Sequence, residues 1–146
     1  MKTILKALAL LIAMSALQAQ AAGEQGQLVH VSLWNNGTVM GINLDVSSVK
    51  AGKVTFDVVN NSKNLVHEML VVQVKNYHDS LPYDTNEATI IEDKVADYGE
   101  VSELEPGKTG SVTLNLKPGK YLLICNQPGH FEMGMYTHFE ATEITS

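Results

Sequence analysis

Cysteine is almost absent from this chain of 146 residues, which contains a single thiol and therefore cannot form an internal disulfide. Basic residues are also scarce, because 10 lysine plus arginine residues stand against 16 acidic ones and leave a formal net charge of −6. An acidic surface repels nucleic acid and anionic lipid, so we expect neither as a partner. Internal repeats and low-complexity tracts are missing as well. No segment reaches the roughly 20 apolar residues of a membrane span, so we expect none.

The first residues show the pattern of a cleavable export signal. Lys2 and Lys6 form a short positive region, an apolar run follows, and an Ala-Gln-Ala motif ends at Ala21. We therefore predict a signal peptide over 1–21 and a mature domain over 22–146. Removing 21 of the 146 residues leaves 125, which suits one domain with one core. The short, alanine-rich signal is typical of bacteria and predicts a periplasmic location.

The mature sequence is typical of strands separated by turns. An Asn-Gly pair at 36–37 lies between apolar runs and predicts a hairpin with a type I′ turn. Residues 65–74 are almost continuously apolar, which suits a strand covered on both faces. Residues 76–105 are acidic and lack a period of two, so we predict one long, partly helical connection, with a short helix within 84–98. About seven short strands predict an all-β fold, an antiparallel Greek-key β-sandwich.

The single thiol is followed closely by other potential metal ligands. Cys125 ends a predicted strand, His130 lies in the next loop, and Met135 begins the last strand. Pro128 and Gly129 allow that loop to turn tightly. A thiolate, an imidazole and a thioether form a soft ligand set that selects copper over magnesium, calcium or manganese. Two histidines, one cysteine and a weak axial methionine describe a blue-copper site, so a second histidine is needed.

His67 is the candidate for that second histidine. It lies in the apolar segment over 65–74, where an imidazole without a partner is costly to bury. Strand alternation places Cys125 and Met135 towards the same core and His138 on the opposite face. The alternation leaves the direction of His67 open, because both faces of its strand are apolar.

Several segments together resemble the single-domain cupredoxins over nearly the whole mature chain. They are Asn60-Asn61, His67-Glu68-Met69, Glu105-Pro106-Gly107, the run 121–125, His130 and Met135. The resemblance implies a β-sandwich that holds one copper ion at one end. The ligands that it implies are His67, Cys125, His130 and Met135. It also implies that the late-loop histidine reaches the surface and passes electrons.

Two residues near these ligands depart from the family pattern or compete with it. Met133 is an alternative axial ligand, but the family spacing from His130 favours Met135. Glu68 stands where many cupredoxins have the asparagine or serine that ties the ligand loops together. The hydrogen bonding around the site, and with it the redox potential, should therefore differ.

The resemblance leaves two roles open. Similar periplasmic cupredoxins act in copper resistance, and Met69 and Met133 would add soft donors suited to Cu(I), which favours copper handling by sequestration or oxidation. The alternative is a one-electron carrier between periplasmic redox partners. The partner would then be a redox or copper-handling protein, and we expect a monomer.

Other classes of protein are disfavoured by what the chain lacks. We expect no enzyme, because a nucleophile–base pair of Cys125 and His130 needs an orienting third group that no motif supplies. One cysteine cannot build a dinuclear copper centre held by two. The five histidines contain none of the His-x-His pairs of multicopper oxidases.

Overall fold

The structure, a computed structural model, describes residues 26–143, so the predicted signal peptide over 1–21 lies outside the described residues. Strands and one short 3-10 helix, Glu92–Lys94, make up its regular structure. The strands are β1 (Gln27–Asn36), β2 (Val39–Leu44), β3 (Ser48–Lys50), β4 (Gly52–Asn60), β5 (His67–Val74), β6 (Tyr83–Asp84), β7 (Thr89–Ile90), β8 (Ala96–Leu104), β9 (Thr109–Leu116), β10 (Gly119–Ile124) and β11 (Tyr136–Thr142). The predicted all-β class is confirmed.

Two sheets pack face to face. One has the strand order β2-β1-β4-β9, and the other has the order β3-β11-β10-β5-β8. Most neighbours are antiparallel, but β1 pairs with β4, and β3 with β11, in parallel. The sandwich is therefore mixed rather than wholly antiparallel. In the second sheet β10 lies between β5 and β11, which brings the ends of these three strands together.

The main core lies between the sheets and follows the period of two in the sequence. Alternate residues of β1 and β4 are buried, and they face alternate residues of β10 and β11. The rings of Phe56 and Phe139 meet edge to face across the sheets, with centroids 5.3 Å apart. Burial of each large apolar side chain contributes about 1.5–3 kcal/mol, so this layer dominates the stability of the fold.

A second, smaller core covers the outer face of β5 and β10. Leu70 and Val72 of β5 pack there with Leu122 and Ile124 of β10 and with Ile90 from the connection. The neighbouring residues of β5, by contrast, point into the main core. The prediction that this strand is covered on both faces is thus confirmed, and the segment after it provides the cover.

The helical part of the predicted connection over 76–105 is one 3-10 turn, Glu92–Lys94, and the rest of the predicted helix within 84–98 is absent. The connection forms the small hairpin β6–β7, a single 3-10 turn and then β8, which pairs with the edge of β5. Register shifts interrupt the β5–β8 pairing, and Gly99 within β8 has a φ of +133°. Such irregularities remove the period-two pattern, and the exposed edge favours polar residues, so the sequence of β8 does not resemble a strand.

The hairpin between β1 and β2 forms where the Asn-Gly pair predicts it. Asn36 pairs with Val39, so the two loop residues are Gly37 and Thr38. Gly37 has a φ of +64°, whereas Thr38 has no positive φ. A positive φ at the first loop residue alone is the pattern of a type II′ turn, so the hairpin is confirmed and the predicted type I′ turn is wrong.

Candidate metal centre

Three neighbouring strands bring the predicted ligands to one end of the sandwich. His67 is the first residue of β5, Cys125 directly follows β10, and Met135 directly precedes β11. The backbone N–H of Cys125 donates to the carbonyl of Met135 at 3.0 Å, and the N–H of Met135 donates to the carbonyl of His130 at 3.0 Å. These two bonds close the loop between β10 and β11 around its histidine.

Three side-chain donors face one another in this end of the core. The Cys125 Sγ lies 3.3 Å from Nδ1 of His130 and 3.8 Å from Nδ1 of His67, and the two Nδ1 atoms are 3.2 Å apart. An ion at the centre of such a triangle lies about 2 Å from each donor, close to the metal–nitrogen and metal–sulfur bonds of about 2.0–2.3 Å found in proteins. The three residues therefore fit a metal ion.

The two methionines of the loop occupy different environments. Met135 is fully buried and belongs to the same core cluster as Cys125. Met133 is 49 % exposed, and its backbone bonds to Gly129 within the turn. Burial beside the thiol favours Met135 as the fourth ligand, as the family spacing does.

Burial controls the protonation of the three donors when no metal is bound. It lowers the pKa of His67 to about 4, and the neighbouring His130 adds to the effect. It also lowers the pKa of His130 and raises the pKa of Cys125 to about 11. At neutral pH the metal-free site therefore holds two neutral imidazoles and a protonated thiol. A raised thiol pKa is the opposite of what a cysteine nucleophile needs, which argues against a hydrolase.

Asn60 fixes the chain just ahead of His67. Its side chain is fully buried, donates to the carbonyls of Leu65 at 2.8 Å and Leu104 at 2.7 Å, and accepts from the N–H of Ser62 at 3.0 Å. Sequence analysis placed Asn60 in the family motif but missed this bracing. The signal was the polar Asn-Asn-Ser bend next to a strand that carries a ligand.

Asn126, which sequence analysis missed, ties the ligand loop to the preceding connection. Its Oδ1 accepts from the N–H of Ile90 at 2.6 Å, while its Nδ2 donates to the carbonyl of Ile90 at 3.1 Å and to Glu92 Oε1 at 2.8 Å. The N–H of Gly129 adds a bond to the carbonyl of Ala88 at 2.7 Å. The loop is thus held from outside the core as well as from within it.

Glu68 contributes its backbone rather than its side chain to the cluster. Its N–H donates to the Cys125 Sγ at 3.4 Å, which stabilises negative charge on that sulfur. Glu68 as a whole is 7 % exposed, and burial raises the pKa of its carboxyl group to about 7, against the opposing hydrogen bond from Gln127. Nearby Glu103, Glu100 and Glu92 raise the pKa further.

Comparisons with known proteins give a likeness of fold. No protein-family model matches the chain, and no curated protein matches it. Reduced auracyanin from the photosynthetic bacterium Roseiflexus castenholzii superposes with a TM-score of 0.60 at 20% identity, over 82% of this chain and 99% of that one. Rusticyanin from Thiobacillus ferrooxidans gives 0.59 at 18% identity, over 80% and 79% of the two chains. Auracyanin A from Chloroflexus aurantiacus, described as a "blue" copper protein, gives 0.55 at 21%, over 79% and 99%.

The chain has the cupredoxin fold, as these structural neighbours do. At one end of that fold, the donor atoms of His67, Cys125 and His130 all lie within 4.8 Å of one another. With the buried thioether of Met135 beside them, this set fits a type 1 copper site. Within residues 26–143, no helix is long and apolar enough to cross a membrane.

Proposed function

We propose that this chain is an exported one-electron copper protein. It binds a single copper ion through two histidines, a cysteine and a methionine, which are His67, Cys125, His130 and Met135. The observation that carries the proposal is the buried triangle of two Nδ1 atoms and one Sγ atom, all within 4.8 Å of one another. The blue copper protein among the structural neighbours supports the choice of metal.

The residues around the triangle suit a centre that changes charge by one electron. Bound copper supplies the Cu(I)/Cu(II) couple. His67 and Cys125 are fully buried and exclude water, while His130 is partly exposed and offers a short path to the surface. Because the sheets and the two asparagine braces hold the donors in place, little rearrangement accompanies electron transfer.

An absorption spectrum of the purified protein with added Cu(II) tests the metal. We expect an intense visible band, because the thiolate transfers charge to Cu(II), and we expect Cys125→Ser to abolish it. Met135→Leu should keep a band but raise the reduction potential, because the axial thioether no longer donates to Cu(II). Met133→Leu is the matched control and should change neither. A colourless wild-type protein with Cu(II) would overturn the proposal.

The cellular role that this geometry favours is electron transfer. Met69 is one of the two additional thioethers suited to Cu(I). It is fully buried in the core, where it packs against other apolar side chains. Met133, however, presents an exposed thioether beside the site, and this observation favours copper handling as a second role. Growth of a deletion strain in elevated copper separates the two. If the deletion strain loses copper tolerance and expression of the Met133→Leu protein fails to restore it, copper handling is supported. If the deletion strain tolerates copper as the wild type does, the electron carrier is supported.

Export to the periplasm is part of the proposal and rests on the sequence of residues 1–21. Expression with the native N-terminus should yield a periplasmic protein that begins at Ala22. Mass spectrometry of the periplasmic fraction measures this. A full-length protein that remains in the cytoplasm would contradict it.

A further inference from the structure

Two exposed histidines approach each other on the outer face of β11, away from the central cluster. His138 projects from this face, and the ring of Tyr77 stacks on it with centroids 4.1 Å apart and planes within 8°. The hydroxyl of Tyr77 donates to the carbonyl of Phe139 at 3.1 Å, which fixes the stack against the strand. His78 meets the ring of His138 edge-on, with centroids 6.3 Å apart.

The same face carries oxygen donors around an open cavity of about 480 Å³. His78, the carboxylates of Asp79 and Glu132, and the phenol groups of Tyr83 and Tyr136 line it, and no lysine or arginine does. Lys120 contacts the stack from the side of Tyr77, with its Nζ 5.5 Å from that ring centre. The cavity itself is lined by imidazole, carboxylate, hydroxyl and apolar groups.

We propose that His78 and His138 form a second, labile metal site that takes a divalent transition-metal ion, with water as its remaining ligands. Imidazole suits Zn²⁺, Ni²⁺ and Cu²⁺, and Cu²⁺ binds such donors most tightly. Without a thiolate, this site stabilises the divalent ion and gives no intense charge-transfer colour. The inference stands on residues outside the proposed copper centre and does not depend on it.

The spacing of the two rings is close to what one ion needs. Metal–nitrogen bonds of about 2.0–2.1 Å hold two imidazole centres roughly 5 Å apart at a tetrahedral angle. The ring of His78 must move closer to His138 by on the order of 1 Å. His78 is exposed and lies outside the strands, so rotation of its side chain can supply this movement.

Zinc titration of the copper-loaded protein tests the site by calorimetry. We expect a further equivalent of Zn²⁺ to bind, His78→Ala and His138→Ala each to weaken it at least tenfold, and the double variant to abolish it. His30→Ala is the matched control, because His30 is an exposed histidine on β1 of the other sheet, and it should bind Zn²⁺ as the wild type does. Unchanged visible absorption of the central copper shows that each variant is folded.

A second experiment separates this site from the central one. In Cys125→Ser, added Cu²⁺ should give an electron paramagnetic resonance signal with nitrogen coupling and no thiolate band. His78→Ala should lower the number of bound Cu²⁺ ions by one, because His67 and His130 can still hold an ion of their own. The result is expected even if the central cluster binds no copper. Absence of a further Zn²⁺ equivalent, or equal Zn²⁺ affinity in the His78, His138 and His30 variants, overturns the inference.

Discussion

Two buried asparagines at the ligand end of the sandwich, Asn60 and Asn126, bond mainly to the backbone. Asn60 makes the most of these bonds, because its amide supplies two donors and one acceptor to two segments of chain, the bend over 62–65 and the end of β8. A buried carbonyl that loses its hydrogen-bond donor still carries the free-energy cost of desolvation, because no other hydrogen bond offsets it. Such residues determine where His67 lies without contacting a metal.

Replacement of Asn60 by alanine should therefore be costly. Asn60→Ala leaves the carbonyls of Leu65 and Leu104 without their donor, and we expect the free energy of unfolding to fall by about 2–4 kcal/mol. Urea denaturation measures the change. Asn61→Ala is the control, because the exposed Asn61 amide bonds only to Ser32 Oγ, and it should cost at most about 0.5 kcal/mol. Equal losses in the two variants would show that Asn60 does not brace the loop.

Metal binding should release one proton at neutral pH. In the metal-free protein burial raises the pKa of Cys125 to about 11 and lowers that of His67 to about 4, so the thiol alone must lose a proton. Copper affinity should then rise about tenfold per pH unit between pH 7 and pH 9. Calorimetry of Cu(I) binding in buffers of different ionisation enthalpy counts the protons. Cys125→Ser should release none, and a wild-type affinity independent of pH would contradict the assignment.

At the scale of elements, sequence analysis predicted the features whose residues lie close together in the sequence. Cys125, His130 and Met135 lie within one short segment, so their spacing alone indicates a metal loop. His67 lies 58 residues before Cys125, and the apolar pattern on both faces of β5 could not orient it. Only resemblance to a family singled it out. The sheet pairing with β10 supplies the orientation.

Strand β8 shows why other parts of the fold could not be predicted from the sequence. The strand is shaped by pairing with β5, and the register shifts in that pairing disrupt its alternation. The braces made by Asn60 and Asn126 end on carbonyls distant in the sequence, which no composition or period reveals. Contacts that fix the site are long-range, whereas the ligand residues themselves carry a local signal.

The packing of β8 against β9 gives a prediction at this scale. A Cβ at Gly110 of β9 would lie 2.5 Å from Cγ1 of Val101, a buried, β-branched residue of β8. Because such a side chain has few alternative rotamers, Gly110→Ala should separate the strands and cost about 1–3 kcal/mol of unfolding free energy. Thermal unfolding of the metal-free protein measures it. Gly26→Ala, where the nearest atom is 3.6 Å away, should leave stability within about 0.5 kcal/mol.

In the whole molecule, the metal ligands come from segments that lie far apart in the sequence. His67 begins β5, and Cys125 and His130 follow the end of β10 in the same sheet. A metal bound to all three is lost when the sheet opens, because the unfolded chain does not hold the donors together. Copper should therefore stabilise the entire sandwich and not the loop alone.

We expect the copper-loaded protein to unfold at a higher temperature than the metal-free protein. By mass action the gain is about 4 kcal/mol when free copper stands about 1,000-fold above its Kd, and it grows with affinity. Calorimetric scans with Cu(I) measure the shift, and Cys125→Ser should reduce it sharply. Hydrogen exchange separates a global effect from a local one: slower exchange in β5, β10 and β11 together indicates that the metal stabilises the sheet, whereas slower exchange confined to residues 126–134 would show that it merely orders the loop.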